Sequence, residues 1–196
     1  EVELCGHATL GTAHVLFSDG LAPAGSTITF HTKSGRLRAR QDGEYIVLDF
    51  PALEVRPGEP VSGVIEALGV TPVGFNRTRS DYLVEVSTEQ AVRQCDPDQA
   101  LLKKAGVRGV IVTAGGSGDY DFVSRFFAPG AGIAEDPVTG SAHCALAPYW
   151  QKKLGKDTML AYQASARGGE VRVTVRGDRV ELAGKAVITL RGELLV

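Results

Sequence analysis

The sequence has few of the features that mark extracellular, membrane-spanning or nucleic-acid-binding proteins. Its three cysteines, Cys5, Cys95 and Cys144, are an odd number without CxxC spacing, so neither a disulfide framework nor a zinc site is indicated. No apolar run approaches the roughly 18 residues that span a bilayer, and no signal-peptide pattern opens the chain. Its 21 Lys and Arg residues are interspersed with 23 Asp and Glu residues, so no basic stripe forms. We expect a soluble, cytoplasmic protein without nucleic-acid or membrane partners.

Motifs for bound cofactors and for common nucleophiles are also missing. The chain has no Walker loop, no strand-associated GxGxxG, no serine nucleophile elbow and no lysine in a recognisable Schiff-base context. We therefore predict a reaction without a cofactor and without a metal ion. One alternative stays open, a metal-dependent hydrolase that uses His7, His14 and His143, although no acidic residue stands at a metal-motif spacing from them.

The composition is that of a globular protein. Of the 196 residues, 43% are apolar and 22% are charged, which fits one domain or two small ones. The chain has no initiator Met and opens on Glu1-Val2-Glu3-Leu4, which alternates like the end of a strand. We interpret the sequence as a fragment that lacks an N-terminal segment.

Apolar periodicity and turn residues predict many strands and a few helices. Two apolar helices are expected, at about 8–18 and 139–154. The first is expected to be buried inside a sheet-rich domain, and the second to bend or be interrupted near Pro148. Shorter helices are expected at Val61–Leu68 and Pro97–Ala105, the latter with Asp96 as its N-cap. The predicted strands are Ser26–Thr32, Arg36–Gln41, Glu44–Phe50, Asp81–Val86, Gly109–Ala114, Asp121–Phe127, Met159–Ala166, Glu170–Arg176, Arg179–Leu182 and Ala186–Val196.

The order of these elements indicates an internal repeat. A proline-rich linker near 51–60 separates residues 1–54, the remainder of a first half, from residues 61–196, the second half. Gly11-Thr12-Ala13-His14 aligns with Gly140-Ser141-Ala142-His143 at an offset of 129 residues. The same offset places His7 on Asp136, just before two predicted helices.

The starts of the two apolar helices are candidate carboxylate sites. A helix N-terminus offers unpaired N–H groups and a partial positive charge, and small residues let an anion approach the backbone. Such positions are supplied at one helix by Gly6, Ala8 and Thr9, and at the other by Thr139, Gly140 and Ser141. The three hydroxyls also have a simpler interpretation as N-caps of their own helices. The positive helix end favours a neutral His7 that exchanges protons near pH 7, with Asp136 orienting it.

Five segments resemble one protein family. They run in order along nearly the whole chain: LCGHAT at 4–9, LDFP at 48–51, SRFFAP at 124–129, EDPVTGSAH at 135–143 and QASARGG at 163–169. On these motifs the chain is identified as a member of the PhzF (phenazine biosynthesis-like) family.

The resemblance implies the diaminopimelate-epimerase-type fold. This is an α+β architecture of two pseudo-symmetric halves, each a mostly antiparallel sheet wrapped around a central helix, here with the first half incomplete. It also implies a cofactor-independent isomerase that acts as a homodimer on a small cyclic or amino-acid-like carboxylate. In the phenazine enzyme the reaction is the isomerisation of dihydro-3-hydroxyanthranilate by proton transfer.

The resemblance assigns roles by position. His7 and Asp136 match the family's catalytic histidine and aspartate, and Gly140 and Ser141 match its substrate-carboxylate contacts. The family's principal acid–base group is a glutamate upstream of the GHAT motif, and neither Glu1 nor Glu3 matches it. We therefore predict a proton-transfer isomerase whose catalytic glutamate lies upstream of Glu1. The alternative is a catalytically silent carboxylate-binding or scaffold protein of the same fold.

Overall fold

The computed structural model describes residues 6–33, 35–61 and 63–193. The predicted strand end at Glu1–Leu4 and Cys5 lie outside these residues. Among the described residues, no helix is both long enough and apolar enough to cross a membrane.

Five α-helices and twelve strands make up the described fold. The helices are α1 (Gly6–Ser18), α2 (Val64–Leu68), α3 (Glu89–Gln94), α4 (Gln99–Lys104) and α5 (Gly140–Leu154). The strands are β1 (Thr27–Thr32), β2 (Gly35–Asp42), β3 (Tyr45–Pro51), β4 (Arg56–Pro57), β5 (Pro72–Arg77), β6 (Asp81–Val86), β7 (Gly109–Gly115), β8 (Phe122–Ala128), β9 (Ile133–Asp136), β10 (Thr158–Gln163), β11 (Gly169–Arg176) and β12 (Arg179–Gly184). The expected α+β class is confirmed.

The strands form one continuous sheet of mostly antiparallel neighbours. Its order is β1-β2-β3-β12-β11-β10-β8-β7-β6-β5-β4, with β9 added beside β8. Within the described chain, only the β6–β7 and β10–β8 pairs are parallel. The β3–β12 pair joins the two predicted halves edge to edge, with Leu48 opposite Leu182. The division at 54 and 61 into two repeat halves stays a prediction.

The two faces of the sheet pack against different helices. Along β6 and β7, Leu83 and Ile111 belong to the apolar cluster that contains α5, whereas Val84 and Val112 belong to the cluster that contains α2, α3 and α4. Successive side chains of a strand point to opposite faces, so this alternation buries both sides of the central strands.

The helix α5 is the buried helix that the sequence predicts. Ala142 through Ala147 are all buried, and Pro148 lies within the helix without ending it. Proline has no N–H to donate to the carbonyl four residues earlier. That carbonyl, of Cys144, instead accepts a hydrogen bond of 2.9 Å from the backbone N–H of Leu53. The proline-rich segment is thereby fastened to α5.

The helix α1 differs from the expectation of a buried helix. Only Ala13 is buried in it, and Val15 is 42% exposed. It packs along one side against β2, β3 and the start of α5. The apolar composition was misleading because none of the other elements that the structure describes covers its far side.

Several boundaries also differ from the sequence predictions. The cap of α4 is Asp98, whose carboxylate accepts from the Leu101 N–H at 2.9 Å, and not Asp96. Residues 186–193 of the predicted last strand are not in a strand. The short elements α3, β4, β5 and β9 were missed because two to six residues carry too little periodicity to be recognised.

Candidate active site

The N-termini of α1 and α5 meet face to face. A Cβ added to Gly6 would lie 3.4 Å from the Cα of Gly140, and a Cβ added to Gly140 would lie 3.4 Å from the Cα of Gly6. Two side chains here would force the helix starts apart, so glycine at both positions permits the close approach. The positive ends of two helix dipoles therefore adjoin one another.

A cavity of about 440 Å³ opens at this junction. Its size is that of a small-molecule site. Gly6, His7 and Gly140 line it at the helix starts, and His143 and Arg167 contribute further polar groups. Leu182, on the strand that joins the two predicted halves, belongs to its apolar wall.

The structure brings together three of the six predicted site residues. Gly6, His7 and Gly140 line the cavity, whereas Ala8, Ser141 and Asp136 do not belong to its lining. Ala8 is exposed on the first turn of α1, and Ser141 is half-buried on the first turn of α5. His7 is exposed and is the second residue of α1. The sequence pattern instead predicts a position before the helix.

The predicted repeat register does not match the two helix starts. The offset of 129 residues pairs Gly11 with Gly140, but α1 begins five residues earlier, at Gly6. By position in its helix, His7 corresponds to Ser141. Asp136 instead ends β9, four residues before α5 begins. His7 and Asp136 are therefore not equivalent by helix position, although both lie in segments that approach the junction.

Asp136 helps to hold the turn that leads into α5. Its Oδ2 accepts a hydrogen bond of 2.6 Å from the Thr139 hydroxyl. The Gln163 side chain donates from Nε2 to the Asp136 carbonyl at 2.7 Å and accepts from the Thr139 N–H at 2.8 Å. This network fixes the backbone just before Gly140, so Asp136 acts on the helix start through Thr139.

His143 lies one helical turn beyond Gly140 and is completely buried. Its Nδ1 is 2.8 Å from the Thr139 carbonyl oxygen, which only accepts, so Nδ1 carries the proton. Its Nε2 has no hydrogen-bond partner among the described residues. Burial lowers the pKa of the imidazole to about 4, which keeps the ring neutral.

Because His14 and His143 lie inside predicted apolar helices, the sequence favours hydrogen-bonded core histidines over ligand-binding ones, and this prediction is half right. His143 is such a residue through Nδ1, but it also lines the cavity. His14 is only half-buried and does not line the cavity. The signal that could have found His143 is its spacing, because residues three apart share one face of a helix.

Arg167 is a second cavity residue to which the sequence assigned no role. It is exposed on the cavity wall and forms no ion pair within the described chain. Its loop is fixed because Ser165 donates to the Pro137 carbonyl at 2.9 Å and accepts from the Gly168 N–H at 3.1 Å. Arg167 falls inside the QASARGG motif, which was the available signal.

The other charged groups of the wall have partners. Glu170 accepts a hydrogen bond of 2.8 Å from the Tyr120 hydroxyl, and Lys185 lies 2.7 Å from the Glu44 carboxylate. Glu44 neutralises Lys185, whereas the Tyr120 hydroxyl leaves Glu170 negatively charged on the same wall as the positive Arg167. The helix dipoles add positive potential at Gly6 and Gly140, which suits an anionic ligand at the helix starts.

The two described cysteines are poor candidates for nucleophiles. Both are buried, and burial raises the pKa of Cys95 to about 11 and that of Cys144 to about 12. A reactive cysteine needs a lowered pKa and access to solvent. No group of three or more His, Cys, Asp or Glu residues in the described ranges is arranged to hold a metal ion.

These features define an α+β protein with a small-molecule cavity at two converging helix starts. The chain belongs to the PhzF family, since the model of that family, described as phenazine biosynthesis-like protein, matches residues 1–192. The family recognised in the sequence motifs is thus confirmed.

Relatives and solved structures agree with this assignment. A Halalkalibacterium halodurans protein named an uncharacterized isomerase is 50% identical over 202 residues, covering 100% of this chain and 75% of the relative. A Pseudomonas aeruginosa protein of the same description is 50% identical, covering 99% of this chain and 74% of the relative. The crystal structure of a PhzF-family protein from Enterococcus faecalis matches with a TM-score of 0.92 at 41% identity, covering 100% of this chain and 75% of that one. By family resemblance the protein is an isomerase.

Proposed function

We propose that the protein is a cofactor-independent isomerase that moves a proton within a small cyclic or amino-acid-like carboxylate. The observation that carries this proposal is the contact between the two helix starts at Gly6 and Gly140 in the wall of one cavity. Unpaired backbone N–H groups of both helices would hold the carboxylate, and the positive helix ends would stabilise its charge. Arg167 adds a cation on the same wall.

In this mechanism one carbon of the substrate loses a proton and another carbon gains one, while the double bond between them shifts. Electrons are neither gained nor lost, so the reaction needs no redox partner. His7 relays the proton at the mouth of the cavity, because an imidazole exchanges protons near neutral pH. We assign the principal acid–base role to a glutamate upstream of the GHAT motif, as the family resemblance implies.

Asp136 is a positioning residue in this scheme. Its carboxylate accepts from Thr139 and so fixes the backbone that precedes Gly140. Ala8 and Ser141 lie on the first turns of their helices beside the junction and would shape the two N–H surfaces. By the same resemblance we propose a homodimer located in the cytoplasm.

The test uses the whole natural protein in deuterated water with a panel of small carboxylates that includes a dihydroanthranilate-type acid. We expect one substrate carbon to gain deuterium, and proton NMR measures this exchange. His7→Asn should lower the exchange rate by about 10²–10⁴-fold, the usual contribution of a general acid–base group. His14→Asn is the matched control, because His14 is on the same helix but away from the cavity. Equal rates for the two variants would contradict the role of His7.

A second candidate function is carboxylate binding without catalysis. It is favoured by Asp136, whose carboxylate is engaged with Thr139 and lies outside the cavity lining. Under this alternative the acids bind at the helix starts, but none of them exchanges a proton with solvent. Binding without exchange over the whole panel would therefore replace the isomerase by this function.

A further inference from the structure

The cavity wall contains one buried acceptor that the proposed proton transfer does not use. The side chain of His143 is 0% exposed, and its Nε2 is without a hydrogen-bond partner in the part of the chain that the structure describes. Buried polar atoms nearly always have a partner, because leaving one unpaired costs its full desolvation. An exception inside a ligand-sized cavity points to a partner supplied by the ligand.

The identity of that partner follows from the tautomer. Because Nδ1 donates to the Thr139 carbonyl at 2.8 Å, Nε2 carries a lone pair and no hydrogen. The desolvation that lowers the pKa of His143 keeps it in this neutral form at physiological pH. Nε2 therefore accepts a hydrogen bond and never donates one.

The ring is also held in place. Thr139 precedes α5, and both its N–H and its hydroxyl are engaged by Gln163 and Asp136. The hydrogen bond from Nδ1 to the Thr139 carbonyl therefore also fixes the orientation of the imidazole ring. Phe122 packs near the ring, with centroids 6.2 Å apart. A fixed acceptor in an apolar setting discriminates strongly between ligands with and without a donor.

Its position relative to the carboxylate site is set by the helix. His143 is three residues after Gly140, a rise of roughly 5 Å along the axis. The backbone N–H groups at the helix starts and the Arg167 guanidinium on the cavity wall donate. A ligand held by its carboxylate at Gly140 would thus meet donors at one end and an acceptor about one helical turn deeper.

We propose that His143 determines specificity by accepting, at Nε2, a hydrogen bond from a hydroxyl or amino group of the bound carboxylate. The ligands so selected are small acids with a donor within about one helical turn, roughly 5 Å, of the carboxylate. This inference rests on the carboxylate site of the proposed function, but it concerns binding and not proton transfer.

The first experiment compares matched ligands on the unmodified protein. Benzoate, 3-aminobenzoate and 3-hydroxybenzoate share a ring and a carboxylate, and the last two add an amino or a hydroxyl donor too far from the carboxylate to bond to it internally. Isothermal titration should give 3-aminobenzoate or 3-hydroxybenzoate a Kd about tenfold lower than that of benzoate, the effect of one buried hydrogen bond. Equal affinities for all three acids would overturn the proposal while leaving the carboxylate site intact.

Nitrogen NMR of labelled histidine reports the same contact directly. The Nε2 resonance should move towards the hydrogen-bonded range when 3-hydroxybenzoate is added, and should stay in place with benzoate. A resonance already in that range without ligand, and unchanged by 3-hydroxybenzoate, would show that a water molecule satisfies Nε2 and would overturn the proposal. If none of the acids binds, the proposed carboxylate site is contradicted, and so is this inference, which depends on that site.

Two substitutions separate recognition from folding. His143→Gln retains an acceptor near the position of Nε2, whereas His143→Phe retains a ring without one. We expect His143→Phe to bind benzoate as the natural protein does but to lose the tenfold preference, and His143→Gln to retain part of it. His14→Phe is the matched control and should leave the preference unchanged. If His143→Phe does not fold, the ligand comparison on the unmodified protein decides.

Discussion

The helices α1 and α5 both begin with a glycine at the cavity, yet their surroundings are very different. Six consecutive residues of α5, from Ala142 to Ala147, are buried between the sheet and its neighbours. In α1 only Ala13 is buried. The two helix starts can therefore offer the same backbone chemistry to a ligand while the helices behind them contribute very unequally to stability.

The start of α5 is also fixed by side chains. Thr139 is held by Gln163 through its N–H and by Asp136 through its hydroxyl. At the other end of the buried run, the Cys144 carbonyl accepts from Leu53. Elements with few buried contacts open at lower free energy than the core. We infer that α5 is the rigid half of the site and that α1 is the half that opens first.

The largest expected effect comes from truncating a leucine in each helix. Leu146→Ala in α5 removes a completely buried side chain and should lower the free energy of unfolding by about 3 kcal/mol. Leu16→Ala in α1 removes a half-buried side chain that is not packed against the core cluster, so we expect about 1 kcal/mol. Urea denaturation followed by circular dichroism measures both. Equal losses would contradict the difference in packing.

A second effect is the pH dependence that His143 gives to α5. Its pKa is lowered by burial from 6.5 to about 4, so the unfolded chain takes up the proton first as the pH falls. The stabilising contribution is complete above pH 6.5 and is lost progressively from there towards pH 4. The maximum slope for one proton is about 1.4 kcal/mol per pH unit.

The same pair of helices supplies the control for this titration. The free energy of unfolding of His143→Gln should change less steeply with pH between 6.5 and 4 than that of the unmodified protein. His14→Gln, at a half-buried position of α1, is the control variant measured beside it. A slope that His143→Gln leaves unchanged would assign the acid sensitivity to the carboxylates.

The difference between the two helices also explains what the sequence could predict. The hairpin strands β1, β2 and β3 were predicted to within two residues because alternation and the Asp42-Gly43 turn are local signals. The length of α5 was predicted within one residue because the apolar pattern of a helix is also a local signal. The exposure of α1 was not predicted, because an apolar helix carries no information about which of its sides is covered.

The site could be predicted only in part. Gly6, His7 and Gly140 follow from the GHAT and EDPVTGSAH motifs, and the structure places all three at one cavity. His143 and Arg167 were missed, because their position at the cavity depends on how α5 and the β10–β11 loop pack. The repeat offset failed for a related reason, since four matching residues cannot specify where a helix begins.

The smallest expected effect tests that offset. If Gly11 were the counterpart of Gly140, it would lie at a helix start and would be needed for ligand binding. The structure instead places it at the sixth position of α1, with no atom within 4 Å of an added Cβ. Gly11→Ala should therefore stabilise the protein by about 0.5–1 kcal/mol through helix propensity, and leave the binding of benzoate unchanged.

Gly140→Ala is the matched change. Its added Cβ would lie 3.4 Å from the Cα of Gly6 at the junction, so it should weaken benzoate binding without raising stability. Thermal unfolding with and without benzoate measures both, and weaker binding by Gly11→Ala would restore the register of 129 residues.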